Sequence, residues 1–224
     1  MRCLKDSTYG VLFVGALLPK GHGIFDPNAV YTIRNAHREG LRVEIHMHVQ
    51  FYSHLTCAQQ MDIVVDELEK NAIRVKSLWI LMTKLSLNES NWPKFNQTAS
   101  YYFLNNCIRH AEERGISIGV YTNDNDWDDI IGNRTLATDI PLWYHNVVKP
   151  GLDGETQHNF DDFVPFGPFS EPTVKQFAHG EILCQLKISR NVYKVDSLVP
   201  LVEADSSNNR LIFVGGNFKS FNQS

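Results

Sequence analysis

The sequence lacks several features that would have assigned it to a functional class. It has no apolar run near the roughly 20 residues that cross a bilayer, which argues against a membrane protein. Its 21 Lys and Arg residues are interleaved with 25 Asp and Glu residues, so no basic face for nucleic acid is predicted. Its four cysteines form no Cys-x-x-Cys pair, which makes a zinc knuckle or a thioredoxin-type redox site improbable.

The composition is that of an ordinary globular chain. The 224 residues are 43% hydrophobic and 21% charged, which is enough to fill one core. Between Tyr9 and about Tyr193, short apolar runs alternate with amphipathic stretches, a rhythm typical of βα units around a parallel sheet or barrel. We therefore expect one α/β domain over residues 1–195 and a polar tail over 196–224, with Leu211–Val214 as its one short apolar segment.

The predicted elements follow from this periodicity and from the residues that stop it. Gly40 and Gly115 end two amphipathic stretches as C-terminal caps, and Asp26-Pro27 begins another with an N-cap and a first-turn proline. The apolar runs predict strands at Val11–Leu17, Arg42–Val49, Ser77–Met82, Ser117–Thr122, Pro141–His145 and Thr173–Ala178. The amphipathic stretches predict helices at Pro27–Arg38, Cys57–Asn71, Thr98–Arg114 and Asn125–Ile131.

Four Asn-x-Ser/Thr triplets bear on the cellular compartment. They begin at Asn88, Asn96, Asn133 and Asn222, each in a polar loop-like or element-start setting. Such triplets arise by chance, but four of them together favour a secreted product. We therefore predict glycosylation at Asn88, Asn96 and Asn133.

One predicted strand carries an unusual polar face. Strand alternation puts Glu44, His46 and His48 on one side of Arg42–Val49, and this side should look into the barrel if helices cover the outside. The His-x-His pair also fits a zinc site, with His145, His22 or Glu44 as a third ligand. A hydrogen-bonded pair of core histidines is the ordinary explanation, and we predict no metal and no cofactor.

Several phrases of the sequence carry a family resemblance in their order and spacing. They are Asp26-Pro-Asn-Ala-Val30, Gly119-Val-Tyr-Thr122, Pro141-Leu-Trp-Tyr144, Phe166-Gly-Pro-Phe-Ser-Glu-Pro172 and Lys175-Gln-Phe-Ala178. With these phrases, the chain resembles glycoside hydrolase family 25 lysozymes over Cys3 to about Tyr193, in the divergent branch found in animals. The resemblance implies an irregular TIM-like β/α barrel of eight strands and five helices that acts on the glycan of bacterial peptidoglycan.

The acidic residues that such an enzyme requires are missing from the matching positions. Glycoside hydrolysis needs one carboxylic acid to protonate the leaving oxygen and a second carboxylate as base or stabiliser. The family's pair resembles an Asp-x-Glu at the end of a barrel strand, where this chain has Leu81 and Thr83. A further family aspartate is replaced by Ser189. We therefore predict that the chain does not cleave glycans.

A fourth family aspartate ends the first barrel strand, which should precede the segment beginning at Met1. We expect that this strand is missing from the chain, together with a signal peptide, as in a truncated gene model. A barrel without its first strand has two open edges. The alternative is that the tail segment Leu211–Val214 fills part of the gap.

The remaining family-like positions predict a glycan groove. Tyr121 and Trp143 either stack on sugar rings or belong to the core, and Gln176 is either a glycan contact or a buried polar group. Glu44 stands where the family has aspartate. The predicted groove consists of Glu44, His46, Tyr121, Trp143, His145 and Gln176.

The resemblance also implies a disulfide between two of the cysteines. Cys3 and Cys184 stand where the family branch has cysteines near the two ends of the domain. Cys57 and Cys107 fall in predicted helices, where we expect buried thiols, although pairing stays open.

These inferences give one leading function and two alternatives. We predict a secreted, monomeric lysozyme-like protein that binds or senses bacterial cell-wall glycan without hydrolysing it, in innate immune defence. The defence role rests on the resemblance alone. The first alternative is an active muramidase that uses substitute carboxylates, such as Glu44 with an unseen upstream residue. The second is a zinc-dependent hydrolase that uses His46 and His48.

Overall fold

The fold was analysed in a computed structural model of the chain. The structure describes residues 1–18, 22–84, 92–93, 96–136, 139–194 and 211–216. The helices are α1 (Arg2–Asp6), α2 (Asn28–Arg38), α3 (Cys57–Lys70), α4 (Gln97–Glu113) and α5 (Asp124–Ile130), with a short 3-10 turn at Leu152–Gly154. The strands are β1 (Val11–Leu17), β2 (Arg42–Met47), β3 (Ile73–Val75), β4 (Ser77–Leu81), β5 (Ser117–Thr122), β6 (Leu142–His145), β7 (Val174–Leu183), β8 (Leu186–Tyr193) and β9 (Ile212–Val214).

The main sheet contains seven of the described strands in the order β1-β2-β4-β5-β6-β7-β8. All its neighbours run parallel except β7 and β8, which form an antiparallel pair. The sheet is curled, because the ring of Phe13 on one edge strand lies 5.9 Å from that of Tyr193 on the other. The predicted α/β architecture is confirmed in this form, as a half-barrel whose edges are β1 and β8. The predicted closed barrel of eight strands is not confirmed.

The helices begin and end where side chains and glycines satisfy the backbone. At the start of α3, Thr56 and Gln59 form a capping box, in which each side chain accepts from the other residue's backbone N–H. Gly40 and Gly115 have φ angles of 70° and 67° just after α2 and α4, in the left-handed region that glycine tolerates. These two glycines are the C-terminal caps that the sequence predicts.

The interior of the half-barrel is filled by aromatic rings. Trp79 is fully buried, and its Nε1 donates to Oε2 of Glu44 over 2.9 Å. A Cβ added to Gly119 on the neighbouring strand would lie 2.4 Å from the Trp79 ring. Trp143 closes the cluster, with its ring centroid 5.8 Å from that of Trp79. The absence of a side chain at position 119 is therefore what allows the indole to lie flat against β5.

A second and larger core lies between the outer face of the sheet and the helices. The buried side chains of α3 meet those of α4 and the outward residues of the strands, and several of them are completely inaccessible to solvent. Examples are Met61, Val64, Leu68 and Leu104. Within the described residues, no helix is long and apolar enough to span a bilayer.

Two disulfides connect distant parts of the chain. Cys3 is bonded to Cys184, as the family resemblance implies, and this links α1 to the turn between β7 and β8. Cys57 is bonded to Cys107, so the expectation of two buried thiols is wrong. The reason is that α3 and α4 pack side by side and bring the Cα atoms of these residues to 5.1 Å. In the chain-entropy model, closing this 50-residue separation stabilises the fold by about 4 kcal/mol.

The apolar segment of the tail forms β9 and pairs in parallel with β3. Val214 is buried, and the next residue, Gly215, donates its backbone N–H to the carbonyl of Val43 over 2.7 Å. The segment therefore does not lie between β1 and β8, so the alternative that it fills the place of a first barrel strand is wrong. The domain boundary at residue 195 stays a prediction.

We predict that Gly119→Ala destabilises the protein, because the new methyl group collides with the fixed ring of Trp79. Overpacking of this kind costs about 1–3 kcal/mol. The measurement is the free energy of unfolding in urea. Gly10→Ala is the matched control, since a Cβ there meets nothing within 4 Å. Equal stabilities for the two variants would contradict this account of the barrel interior.

Candidate functional site

A groove of about 1110 Å³ opens where the parallel strands end and continues along the side between β1 and β8. Five of the predicted groove residues line it together: His46, Tyr121, Trp143, His145 and Gln176. They come from four strands, since β2 carries His46, β5 carries Tyr121, β6 carries Trp143 and His145, and β7 carries Gln176. Parallel strands direct their carboxyl ends to one edge, and this topology brings these residues together.

Trp143 lies beneath the groove and reaches it through a small part of its surface. Its ring centroid lies 4.1 Å from that of Phe13 and 4.6 Å from that of Tyr121. Its Nε1 donates to Oδ1 of Asn191 over 2.9 Å. Only 4% of Trp143 is exposed, so the residue is mainly a core residue that presents one small surface to the groove. Phe13 and Asn191 were missed by the sequence analysis, because neither residue type stands out in its run.

Tyr121 and His145 form a half-buried aromatic wall. Their rings are stacked, with centroids 4.7 Å apart and planes 19° from parallel. Nε2 of His145 lies 3.2 Å from Oδ2 of Asp126, and its Nδ1 lies 3.4 Å from Nδ2 of Asn123. Both ring nitrogens are therefore engaged, which orients the imidazole as a flat surface. Asn123 and Asp126 lie at the start of α5, where the sequence analysis predicted a helix but no site residue.

The phenol of Tyr121 is held in its protonated form. Burial raises the pKa of Tyr121, and the negative charge of Asp126 raises it further. A hydrogen bond with Gln176 opposes this effect in part. The phenol is therefore a hydrogen-bond donor at neutral pH and not a nucleophile.

His46 and His48 are neutral residues of the groove. Burial and, to a smaller extent, the neighbouring His48 together lower the pKa of His46 to about 3. Burial lowers the pKa of His48 to about 4. Within the described part of the chain, no group of three or more His, Cys, Asp or Glu side chains is placed to hold a metal ion. The zinc-hydrolase alternative therefore gains no support from the geometry.

The positions of the expected acidic residues lie in this same groove. Leu81, Thr83 and Ser189 all line it. Leu81 is 8% exposed and packs into the aromatic cluster, and the hydroxyl of Ser189 lies 3.1 Å from Nδ1 of His179. Among the described residues that line the groove, none is aspartate or glutamate.

Glu44 is not a groove residue, and this part of the predicted site is wrong. Its side chain is fully buried below the groove, where Oε2 accepts from Nε1 of Trp79 and, over 3.3 Å, from Oγ of Ser77. Its negative charge acts on Tyr193, whose pKa is raised first by burial and then by this carboxylate. Strand alternation gave the correct face for Glu44, but the residue lies one interior layer too deep to meet a ligand.

A buried ion pair shapes the rim of the groove. Lys175 is inaccessible to solvent, and its Nζ donates to Oδ1 of Asp162 and to the carbonyl of Gln157, each over 2.7 Å. Asn146 donates to the other oxygen of Asp162 over 2.5 Å. These bonds fix the β6–β7 connection, part of which, at Lys149 and Pro150, borders the groove. The sequence analysis used Lys175 only as part of a family phrase.

Comparison with known proteins identifies the family. The family model described as "Lysozyme-like protein 1" matches residues 1–177. A relative from Caenorhabditis elegans, "Lysozyme-like protein 2", is 40% identical over 219 residues, which cover 96% of this chain and 77% of the relative. "Probable GH family 25 lysozyme 2" from Dictyostelium discoideum is 27% identical, covering 85% of this chain and 83% of that protein. The chain belongs to the glycoside hydrolase family 25 lysozyme-like proteins.

The fold of this lysozyme-like chain is similar to that of solved lysozyme structures. The bacterial lysozyme from Streptomyces coelicolor superimposes with a TM-score of 0.65 and 12% identity, covering 86% of this chain and 85% of that one. At this identity the likeness shows the fold alone. The family model and the relatives confirm the recognition made from the sequence phrases.

We predict that acid weakens the fold through the groove histidines. His46 and His48 have pKa values below the ordinary 6.5 in the folded protein. Between about pH 6.5 and about pH 4, the unfolded chain therefore binds protons at these two residues that the folded chain does not bind. The free energy of unfolding should therefore fall as the pH drops through this range. His46→Leu should reduce this fall, as measured by urea unfolding at several pH values.

The control for this test is His37→Leu, which removes an exposed imidazole outside the groove. An acid dependence in His46→Leu as steep as that of the unsubstituted protein would show that the groove histidines do not set it.

Proposed function

We propose that this lysozyme-like protein binds the glycan of bacterial peptidoglycan in its groove without cleaving it, as a secreted monomer of antibacterial defence. The observation that carries this proposal is that no described residue lining the groove is aspartate or glutamate. The positions that match the family's acidic residues are instead the apolar Leu81 and the hydroxyl-bearing Thr83 and Ser189.

The lack of a carboxylate among the described groove-lining residues supports the proposal because glycoside cleavage requires carboxyl groups. A retaining or inverting glycosidase needs two carboxyl groups about 5–9.5 Å apart on either side of the scissile bond. The hydroxyl of threonine or serine does not protonate a leaving oxygen near neutral pH. Asp126 contacts the groove residue His145 and is engaged with its imidazole. Glu44, the substitute considered from the sequence, is buried beneath the floor.

The part of the groove around Tyr121 has the features of a site for an uncharged sugar. Tyr121 and His145 offer ring surfaces on which sugar C–H groups can pack, and they stand next to the small exposed surface of Trp143. The protonated phenol, the amide of Gln176 and the neutral imidazole of His48 supply hydrogen-bonding groups for hydroxyls and acetamido groups. These groups recognise a glycan without requiring charge on the ligand.

Secretion is supported by cysteine use. Both disulfides are of the kind found in proteins that fold in an oxidising compartment. The names of the relatives support an encounter with peptidoglycan, since they are described as lysozymes or lysozyme-like proteins.

We predict that Tyr121→Leu weakens binding to purified, insoluble peptidoglycan at least about tenfold, a loss of 1.4 kcal/mol. The variant removes the stacked ring and the phenol donor but keeps an apolar side chain. Tyr31→Leu is the matched control, because Tyr31 is 71% exposed on α2, outside the groove lining. Thr83→Trp, which fills the groove from a half-buried position, tests the same site independently. Sedimentation of the protein with the polymer gives the affinity.

Binding that survives both Tyr121→Leu and Thr83→Trp, in variants that fold normally by circular dichroism, would place the ligand elsewhere. No binding by the unsubstituted protein would end the proposal.

We predict that the protein releases no new reducing ends from purified peptidoglycan. Glu44→Gln and Asp126→Asn should behave identically in this assay, because neither carboxylate is placed to act on a bound glycan. Release of reducing ends that Asp126→Asn abolishes would replace the proposal with an active muramidase. Release that only Glu44→Gln abolishes would instead show that the buried carboxylate reaches the substrate.

A further inference from the structure

Two of the predicted glycosylation triplets lie next to each other in the fold. Asn96-Gln97-Thr98 begins α4, and Asn133-Arg134-Thr135 follows α5; both asparagines are exposed. The triplets at Asn88 and Asn222 lie outside the described residues.

Direct contacts join the two segments. The guanidinium of Arg134 donates to Oγ1 of Thr98 over 2.6 Å, so the middle residue of one triplet is bonded to the last residue of the other. Nε2 of Gln97 donates to the carbonyl of Asp128 over 2.6 Å. Glycans on Asn96 and Asn133 would therefore emerge from a single patch, formed by the start of α4 and the end of α5.

The conformation of Asn96 is compatible with modification. Asn96 is the N-cap of α4, and its Oδ1 accepts from the backbone N–H of Ala99 over 3.2 Å. An N-linked glycan is attached through Nδ2, which leaves the carbonyl oxygen in place as an acceptor. The same side chain can therefore cap the helix and carry a sugar.

We propose that Asn96 and Asn133 both carry N-linked glycans, which together cover the patch between α4 and α5. In the transfer, Nδ2 loses a proton and bonds to the anomeric carbon of a lipid-pyrophosphate-linked oligosaccharide, from which the lipid pyrophosphate leaves. The modification occurs in the secretory pathway, which is also where disulfides such as Cys57–Cys107 form. The proposal rests on the secretion that forms part of the proposed function.

The test uses the full chain, expressed in eukaryotic cells behind a supplied secretion signal and with Asn88→Gln and Asn222→Gln to remove the other two triplets. The secreted protein is treated with peptide N-glycosidase in heavy-oxygen water. Mass spectrometry then reports which asparagines were released as labelled aspartate. We expect label at both Asn96 and Asn133. A secreted protein that lacks the label at Asn96, at Asn133 or at both would overturn the proposal. Failure of the protein to bind peptidoglycan would not affect it.

Matched variants separate the glycan from the helix cap. Asn96→Asp removes the glycan but keeps an oxygen acceptor for the N–H of Ala99, and Asn96→Gln removes both the glycan and the cap geometry. Each variant should lose one glycan in a gel-mobility assay. After deglycosylation, only Asn96→Gln should melt at a lower temperature than the unsubstituted protein. Equal melting of the two variants would contradict the dual role of Asn96.

Discussion

The hydrogen bond between Trp79 and Glu44 is the interaction on which the interior of the half-barrel depends. A carboxylate without solvent contact requires donors, and Glu44 receives them from the indole of Trp79 and the hydroxyl of Ser77. The bond ties β2 to β4 and fixes the plane of the indole, against which only glycine fits at position 119. Trp143 packs on the edge of this ring, so the depth of the groove floor follows from the same bond.

A groove built over such a floor differs from a hydrolytic centre in its electrostatics. Three groups in and around the groove are held uncharged: the phenol of Tyr121 keeps its proton, and His46 and His48 stay neutral. Acid–base catalysis requires groups that exchange protons near the working pH, and these groups do not. The same neutrality suits recognition of sugar hydroxyls, whose hydrogen bonds need direction more than charge.

The sequence predicted the strands that have a clear local pattern of apolar residues. It did not predict features that depend on packing between residues far apart in the chain. Alternation places Glu44, His46 and His48 on one face correctly, but a period of two contains no information about interior layers, so Glu44 was assigned to the groove. Strand β8 was missed because Leu186–Tyr193 is an edge strand rich in polar residues and lacks a clear apolar face. The Cys57–Cys107 bond depends on how two helices lie against each other, which neither helix encodes alone.

The disulfide between Cys3 and Cys184 also determines how the molecule responds to force. It joins the segment before the first edge strand to the turn before the last one, and 181 positions separate its two cysteines in the sequence. Tension applied to residues outside this covalent loop passes through the sulfur–sulfur bond and bypasses six strands of the sheet. In the main sheet only β8 stays in the load path, and β9 also lies outside the loop, so stretching would detach β9 from β3 and peel β8 from β7 while the enclosed strands stay folded. Because β8 carries Ser189 and Asn191, the groove would lose one wall, whereas His46, Tyr121 and Trp143 on the enclosed strands would keep their places.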